Sequence, residues 1–272
     1  MINFNGSLIS SSKELFNTNN RAFKYGDALF ETIKIESLKI RFVEDHYFRL
    51  MASMRMLRME IPMNFTLEFF EEEIVKTVMQ NKLENARVRF SVFRKDGGLY
   101  LPLSNEISYV IEATILKTQL KENYILDIFK DYFIYSGLLS TVKTTNKITN
   151  VLASIYAKEN DIDNCILLNE KKNVVEVING NIFLIVGNKI KTPALTEGCV
   201  KGIIRKKLIE LVINDGVYTI EETTISPFEL QKADELFITN SIIGIQPITN
   251  YKKNTFNTVI SKDLIIKLNK LV

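Results

Sequence analysis

Histidine and cysteine are scarce in this chain, and their scarcity excludes several classes of site. The sequence contains one histidine, His46, and two cysteines, Cys165 and Cys199. A Cys/His metal site or a serine–histidine triad therefore has little to build on, and we expect no bound metal. Two cysteines without metal-site spacing are typical of a reducing compartment, so we expect a cytoplasmic protein.

Long apolar runs and an excess of one charge are also missing. No apolar run approaches the roughly 20 residues that span a bilayer, and the start has no basic region followed by an apolar run, so we expect neither a membrane span nor a signal peptide. The 35 basic and 32 acidic residues give a net charge of +3, which is too balanced to favour nucleic acid or an anionic membrane. The 272 residues suit one large domain or two small ones.

The stretch 143–150 is the most informative part of the chain. An apolar-aromatic run at 132–135 precedes it and a helical pattern at 151–158 follows, so the sequence predicts that Lys143 lies where a strand gives way to a helix. A lysine enclosed at such a point can lose solvation, lower its pKa and become a nucleophilic amine. Such an amine can form a Schiff base with an aldehyde cofactor. A solvated loop lysine is the plain alternative, which Lys143 alone does not exclude.

The first half of the chain has the pattern of a small α/β domain. Residues 2–9 form a predicted hairpin around Asn5-Gly6, and residues 29–35 pair through Glu36-Ser37 with residues 38–42. Further predicted elements are helices at 44–56 and 67–79 and strands at 86–93 and 107–116. The polar stretch 117–123 is a predicted linker, which divides the chain into domains at 1–116 and 124–272.

Two arginines in this half are candidates for anion binding. His46 and Arg49 are about one turn apart on one helix face, beside a predicted apolar stripe of Phe48, Met51 and Met54. A buried Arg49 would need an anion, and phosphate matches its fork; an arginine extending to solvent is the alternative. Arg94 opens a glycine-containing loop and could receive a carboxylate, although an ordinary hairpin turn has the same pattern.

The second half contains candidates for binding a ring nitrogen and a phosphate. Glu176 lies in an apolar strand, where it could face outward or hold a proton on a cationic ring nitrogen. Gly202 precedes a predicted helix and leaves the amides of Ile203 and Ile204 free, as in phosphate sites; a plain glycine N-cap is the alternative. The triplet Thr239-Asn240-Ser241 follows the strand-like residues 233–238 and could complete a phosphate or carboxylate cup.

Taken in order, these stretches resemble the class IV aminotransferase family, the pyridoxal-phosphate enzymes of fold type IV. The resemblance runs from residue 25 to residue 247. It rests on Tyr-Gly-Asp-Ala-Leu-Phe-Glu-Thr, His-x-x-Arg-Leu, Lys-x-x-Asn, Glu176 with Asn-Ile-Phe, Thr-Pro, Gly-Ile-Ile-Arg, and Asp-Glu-Leu-Phe with Thr-Asn-Ser. Each motif is weak alone, and their shared order makes the set specific.

The resemblance implies a fold, a cofactor and an assembly. The fold would be α/β (α+β) with two domains, a smaller N-terminal α/β domain and a larger C-terminal domain with a barrel-like sheet, and the cofactor would lie in the cleft between them. Family members are typically homodimers whose partner chain closes the active site. The cofactor would be pyridoxal 5'-phosphate and the substrate a small amino compound.

The resemblance also implies a role for each matching residue. Lys143 would hold the cofactor as a Schiff base and later carry protons, and Glu176 would pair with the pyridine nitrogen. The phosphate would be held by Arg49, the amides of Ile203 and Ile204, and Ser241. The substrate would contact Phe30, Arg94 and Asn240.

Within the family, the sequence is most similar to the aminodeoxychorismate lyases. The similarity lies in Lys-x-x-Asn-Lys-Ile, in the loop from Arg94 to Tyr100, and in Asn240. The Asn-Tyr pair typical of branched-chain transaminases is absent, because Lys147 follows Asn146, and so is the Arg-x-His trap of D-amino-acid transaminases. The implied reaction is formation of 4-aminobenzoate and pyruvate for folate synthesis. A branched-chain type amino-acid transaminase is the alternative, and a non-catalytic binding protein that keeps the fold is a third reading.

Overall fold

Residues 1–271 are described by a computed structural model, in which the chain is divided into two units. Unit 1 contains Met1–Thr118 and the short segment Lys143–Asn146. Unit 2 contains Gln119–Val142 and the chain from Lys147 onward. The predicted domain division at 117–123 stays a prediction. The lysine segment itself packs in unit 1, although the residues on both sides of it belong to unit 2.

Unit 1 is built on one six-stranded sheet with the strand order β2-β1-β6-β5-β3-β4. All its strand pairs are antiparallel. Its elements, in chain order, are β1 Ile2–Phe4, β2 Ser7–Ile9, α1 Arg21–Tyr25, β3 Ala28–Glu36, β4 Lys39–Ile40, α2 Val43–Met56, α3 Leu67–Gln80, β5 Ala86–Arg94 and β6 Ile107–Ile115.

Alternation along these strands separates a core face from a second face. Val88 and Phe90 of β5 are fully buried, and the Phe90 ring lies 4.8 Å from that of Phe70 on α3. Helices therefore cover this face of the sheet. Phe30 of β3 and Arg89 of β5 point to the opposite face, because successive side chains of a strand alternate, and both are half-buried.

Turn chemistry explains the two hairpins of unit 1. Asn5 and Gly6 have φ values of 48° and 85°, as a two-residue turn of the primed type requires, and the predicted hairpin is confirmed. In the second hairpin the positive φ values fall on Ser37 and Leu38. The sequence predicts this turn at Glu36-Ser37, but it lies one residue later, because Glu36 still pairs with Lys39.

The apolar stripe predicted on α2 is wrong at Phe48. Phe48 is 60% exposed, whereas His46 and Leu50 are each 1% exposed and Met54 is fully buried. The buried face of the helix thus includes a histidine that the hydrophobic pattern placed outside it. The reason is Glu31 on β3, a buried carboxylate beneath the helix that His46 contacts.

Unit 2 contains two five-stranded sheets, with strand orders β12-β11-β10-β13-β14 and β16-β15-β7-β8-β9. Its elements, in chain order, are β7 Ile125–Ile128, α4 Ile148–Glu159, β8 Asn164–Leu168, β9 Val174–Val177, β10 Asn181–Val186, β11 Lys189–Pro193, α5 Ile203–Asp215, β12 Thr219–Thr223, α6 Pro227–Leu230, β13 Glu235–Asn240, β14 Gly244–Ile248, β15 Asn250–Tyr251, β16 Asn254–Thr255 and α7 Val259–Asn269.

The two sheets of unit 2 share one apolar core. Ile166 and Val177 from one sheet pack with Ile182 and Ile238 from the other, and all four are at most 1% exposed. Neither sheet closes on itself within residues 1–271. The α/β class is thus as expected, but the barrel-like form predicted for the C-terminal sheet is not confirmed, because unit 2 contains two separate sheets.

The strand predicted before Lys143 is wrong. Residues 132–135 have no strand of their own, and Ile134 makes only an isolated bridge with Asn169. A short 3-10 helix, Leu138–Thr141, follows instead. The aromatic run has a strand-like pattern, yet Tyr132 and Tyr135 are largely exposed, and only Phe133 and Ile134 pack against apolar clusters of unit 2.

None of the helices in residues 1–271 is long and apolar enough to cross a membrane. In the same residues, no group of three or more His, Cys, Asp or Glu side chains is placed to hold a metal ion.

Candidate active site

The Lys143 segment is fixed by backbone hydrogen bonds to the start of β3. The Phe30 amide donates to the Lys143 carbonyl at 3.1 Å, and the Thr145 amide donates to the Ala28 carbonyl at 3.1 Å. Leu29 and Thr144 form an antiparallel bridge between these two bonds. The segment therefore continues the sheet of unit 1, so the lysine side chain starts from a rigid backbone and not from a free loop.

The Lys143 side chain lies against an aromatic ring of the same unit. Its Nζ is 4.5 Å from the centroid of the Phe30 ring, and the lysine is half-buried. A ring face attracts an ammonium group and also shields one side of it from water. Two residues proposed for the site from the sequence, Lys143 and Phe30, are thus brought together.

A glycine turn allows the lysine segment to approach β3 closely. Gly26 ends α1 with φ 63°, and a Cβ at this position would lie 2.2 Å from Asn146 Oδ1. Asn146 Nδ2 donates to the Gly26 carbonyl at 3.1 Å. Only glycine combines this backbone conformation with this contact, which explains why the Tyr-Gly-Asp sequence precedes β3.

Arg49 is paired with a carboxylate of its own unit. Its Nε donates to Glu31 Oε1 at 2.8 Å, its Nη2 donates to Glu31 Oε2, and His46 Nδ1 lies 2.7 Å from the same Oε2. Burial alone would raise the pKa of Glu31, but the charge of Arg49 and hydrogen bonds from His46 and Arg49 lower it to about 2. The anion that a buried Arg49 needs is thus supplied by Glu31, and its phosphate role stays a prediction.

This cluster predicts a loss of stability in acid. The folded-state pKa of Glu31, about 2, lies below its ordinary value of 4.5, so its contribution is present above pH 4.5 and is lost as the pH falls toward 2. Burial also lowers the pKa of His46 from 6.5. Protonation of this histidine in the unfolded chain therefore lowers the stability further as the pH falls below 6.5. We expect Glu31→Gln to lower the free energy of unfolding by roughly 3 kcal/mol at pH 7.

Urea unfolding of both proteins at several pH values measures this effect. The difference between Glu31→Gln and the wild type should shrink as the pH approaches 3. Glu112→Gln, which changes an exposed glutamate of β6, is the matched control and should change stability little at any pH. A constant difference from pH 7 to pH 3 would show that the Glu31 charge is not the source of the stability.

The proposed substrate role of Arg94 is not supported by its contacts. Nε and Nη2 donate to Asp27 at 3.0 Å and 3.4 Å. The other three bonds go to the Arg58 and Leu57 carbonyls and to Asn105 Oδ1. All five N–H donors of the guanidinium therefore have acceptors within the protein. Arg94 is a structural residue that fixes Asp27 to the end of α2, and its carboxylate-binding assignment is withdrawn.

Glu176 is a buried acid in a fully buried strand of unit 2. Every residue of β9 is buried, and Glu176 itself is 6% exposed. Its Oε2 accepts a hydrogen bond from the Val200 amide at 2.9 Å. Because the side chain is buried, the outward-facing alternative is excluded, and the carboxylate is held as an acceptor beside the loop before α5.

The same loop leads to the start of α5. Gly202 is its N-cap, and a Cβ on Gly202 would lie 2.0 Å from Asn181 Oδ1. Asn181 Nδ2 donates to the Val200 carbonyl at 2.9 Å. The missing Cβ of Gly202 thus makes room for the Asn181 side chain at the start of the helix. The backbone amides of Ile203 and Ile204 belong to the first turn of this helix.

The triplet Thr239-Asn240-Ser241 lies at the end of β13, beside the start of β10. Thr239 pairs in register with Asn181, and its buried Oγ1 has no hydrogen-bond partner within residues 1–271. Asn240 Oδ1 accepts from the amides of Ile242 and Ile243 at 3.0 Å and 2.9 Å. Asn240 therefore shapes the turn to β14, and the half-buried Ser241 lies within that turn.

Comparison with known proteins shows the family. The family model described as Amino-transferase class IV matches residues 28–251. The chain belongs to the class IV aminotransferase family. This family consists of pyridoxal-phosphate-dependent transaminases and lyases, so the chain is an enzyme of that kind and the expected family is confirmed.

Named relatives in the family differ in reaction. A putative branched-chain-amino-acid aminotransferase of Methanocaldococcus jannaschii is 29% identical over 251 residues, 91% of this chain and 86% of that protein. An aminodeoxychorismate lyase of Vibrio harveyi is 26% identical over 240 residues, 85% of each chain. The solved T.th. branched-chain amino acid aminotransferase with pyridoxamine 5'-phosphate has a TM-score of 0.87 at 23% identity, covering 98% of this chain and 92% of that one. This last likeness shows the fold.

Sequence reasoning missed several residues near the family motifs. Glu31 and Asp27 stand inside the Tyr-Gly-Asp-Ala-Leu-Phe-Glu-Thr motif, and the structure shows them as the carboxylates that hold Arg49 and Arg94. The signal that could have found them is that a buried arginine requires an acidic partner. Arg89, two residues before Ser91 on β5, was missed altogether, although an arginine in a strand of apolar residues is itself a signal.

Proposed function

We propose that Lys143 binds the aldehyde carbon of pyridoxal 5'-phosphate and that the enzyme is a 4-amino-4-deoxychorismate lyase, which forms 4-aminobenzoate and pyruvate. The observation that carries the cofactor assignment is the position of Lys143. Its backbone is hydrogen-bonded to β3 and its Nζ lies 4.5 Å from the Phe30 ring centroid. A lysine held in this way can react repeatedly at one place, as covalent catalysis requires.

The donor set of unit 2 fits an aromatic nitrogen and a phosphate. The buried Glu176 carboxylate, which already accepts one amide, is suited to a protonated pyridine nitrogen. The first turn of α5 follows Gly202, whose missing Cβ leaves space beside Asn181, and free amides at a helix start bind phosphate well. The amides of Ile203 and Ile204, with Ser241, would hold that phosphate.

Each residue then has a distinct task. When bound, pyridoxal phosphate supplies an aldehyde and a ring that accepts electrons from the substrate. Lys143 Nζ takes a proton from the substrate carbon that bears the amine and can return it at a second atom. With the cofactor bound, the Glu176 carboxylate would accept a hydrogen bond from the protonated ring nitrogen and stabilise its charge. Phe30 holds Nζ in place beside the substrate.

The lyase assignment is supported by the residues after Lys143 and by one group of relatives. Asn146 of the Lys-x-x-Asn start is bonded to the Gly26 carbonyl, which orients the segment, and Asn240 shapes the turn after β13. The Vibrio harveyi relative is named for the same reaction. A transaminase of the branched-chain type is the second candidate, because the Methanocaldococcus jannaschii relative carries that name.

We further propose a homodimer in the cytoplasm. The loop of unit 1 whose backbone carbonyls accept hydrogen bonds from the Arg21 side chain exposes a row of apolar side chains, each at least 76% exposed: Leu99, Tyr100, Leu101 and Leu103. Exposed apolar groups of this size are typical of surfaces that pair with another chain. Cys165 and Cys199 are both free and buried, which is compatible with a reducing compartment.

A product assay separates the two reactions. We expect the purified protein with pyridoxal phosphate to form pyruvate and 4-aminobenzoate from aminodeoxychorismate without a keto-acid acceptor. Transfer of the amino group from leucine or valine to 2-oxoglutarate, with no lyase turnover, would show that the lyase assignment is wrong and that the enzyme is a transaminase. A protein that takes up no cofactor and turns over neither substrate would contradict both assignments.

A further inference from the structure

The loop that reaches Glu176 begins with a second buried carboxylate, which none of the proposed roles uses. Glu197 ends a short 3-10 helix, Leu195–Glu197, between β11 and α5, and it is 8% exposed. Gly198 follows it in the left-handed region, with φ 105°. Farther along the loop, the Val200 amide donates to Glu176 Oε2 at 2.9 Å. Glu197 thus directly precedes the residues that hold the proposed partner of the ring nitrogen.

The side chain of Glu197 accepts three hydrogen bonds from two other segments of unit 2. Its Oε2 accepts from Asn169 Nδ2 at 2.7 Å and from Asn173 Nδ2 at 3.0 Å. Its Oε1 accepts from Thr224 Oγ1 at 2.6 Å. Burial alone would raise the pKa of Glu197, but these three hydrogen bonds lower it. The carboxylate is therefore ionised at neutral pH, and an ionised acceptor forms stronger hydrogen bonds than a neutral one.

The two asparagines belong to the turn that leads into β9, the strand of Glu176. The Asn169 amide donates to the Asn173 carbonyl at 2.9 Å, and Asn169 Oδ1 accepts from the Asn173 amide at 3.0 Å. Asn173 directly precedes the first residue of β9. Glu197 is therefore bonded through its side chain to the turn before the strand that carries Glu176, and it is continuous with the loop whose amide holds the Glu176 carboxylate.

We propose that Glu197 is a positioning residue, which keeps the Glu176 carboxylate in the orientation that the ring nitrogen of pyridoxal phosphate requires. The proposal rests on the function proposed above, because Glu176 must be the partner of that nitrogen. Glu197 acts by fixing the loop of Val200 against the turn before β9, so that the strand and the amide donor cannot move apart. A carboxylate that can turn away from the ring nitrogen stabilises its positive charge less.

Three substitutions and a control separate this role from a general contribution to the fold. Glu197→Ala removes the acceptor of all three bonds, whereas Glu197→Gln keeps an acceptor oxygen for the asparagines and can donate to the Thr224 hydroxyl. Asn173→Ala removes one bond and keeps the backbone bond to Asn169, so it tests the proposal even if Glu197→Ala does not fold. Glu221→Ala is the matched control, because Glu221 is exposed on β12, the strand that leads to Thr224.

The readout is the affinity of each protein for two cofactors, measured by equilibrium dialysis after the bound cofactor has been removed. The first is pyridoxal phosphate, and the second is its deaza analogue, in which carbon replaces the ring nitrogen and cannot pair with Glu176. We expect Glu197→Ala to weaken binding of pyridoxal phosphate by about 10-fold and Asn173→Ala by about threefold, as for other residues that support a ligand-binding group. Glu197→Gln should fall between Glu197→Ala and the wild type. Glu221→Ala should bind both cofactors within about twofold of the wild type, and the deaza analogue should bind equally well to all these proteins.

Two results would overturn the proposal: unchanged binding of pyridoxal phosphate by both Glu197→Ala and Asn173→Ala, or equal losses for the two cofactors. Glu176→Ala in the same assay tests the proposed function separately. If Glu176→Ala prefers pyridoxal phosphate over the deaza analogue as strongly as the wild type does, or if the wild type binds neither cofactor, the proposed function is contradicted. If Glu176→Ala loses this preference and Glu197→Ala retains it in full, the role of Glu197 alone is contradicted.

Discussion

Lys143→Ala is expected to lower turnover by at least about four orders of magnitude, because the residue serves both as nucleophile and as proton carrier. The visible absorbance of the cofactor bound through a Schiff base should be lost, and borohydride should leave no covalent adduct. The fold should survive, since the hydrogen bonds of this segment to β3 run through backbone atoms that alanine retains. Turnover, absorbance and urea unfolding of the variant measure these three expectations.

Lys158→Ala is the control for this prediction. Lys158 lies in the last turn of α4 and is exposed, so its replacement should leave turnover and the adduct unchanged. If Lys143→Ala kept turnover within tenfold of the wild type, another amine would have to be the reactive group. The assignment of the lysine would then be wrong, even though the family membership would stand.

Asp27→Asn is expected to lower the free energy of unfolding by about 3–5 kcal/mol, because it leaves two buried guanidinium groups without a counter-charge. Arg21 and Arg94 both donate to Asp27 Oδ2, and their side chains are 4% and 8% exposed. Arg21 also donates to the carbonyls of Gly97, Leu99 and Tyr100. The substitution should therefore loosen that loop as well as the core of unit 1.

Urea unfolding and limited proteolysis measure the two parts of this effect. Lys95→Gln removes an exposed ion pair with Glu106, in which both side chains are at least 50% exposed, and should cost less than about 1 kcal/mol. Cleavage in the loop 97–100 should be faster in Asp27→Asn than in Lys95→Gln. Equal stabilities for the two variants would show that Asp27 does not hold the two arginines in the folded protein.

Elements whose signals are local could be predicted from the sequence. The Asn5-Gly6 turn and strand β9, Val174–Val177, depend on nearest-neighbour turn chemistry and on short apolar runs, and both were found where expected. Polar elements escaped prediction. Strand β12, Thr219–Thr223, is mostly polar and is recognisable only through its parallel pairing with β11, a contact that no local pattern shows.

The partners of the charged residues could not be predicted in the same way. A buried arginine requires an anion, but the sequence does not say whether that anion is a ligand or a carboxylate from another strand. Glu31 precedes Arg49 by 18 positions, and Asp27 precedes Arg94 by 67. Folding brings each pair together. The contacts therefore show Arg94 as a residue that holds Asp27 and the end of α2.

Borohydride reduction of the holoenzyme, followed by proteolysis and mass spectrometry, tests most directly whether Lys143 carries the cofactor. We expect a phosphopyridoxyl group on the peptide that contains Lys143, with Lys147 and Lys158 unmodified. The same group on a different lysine, or no modified peptide after incubation with an excess of pyridoxal phosphate, would contradict the assignment.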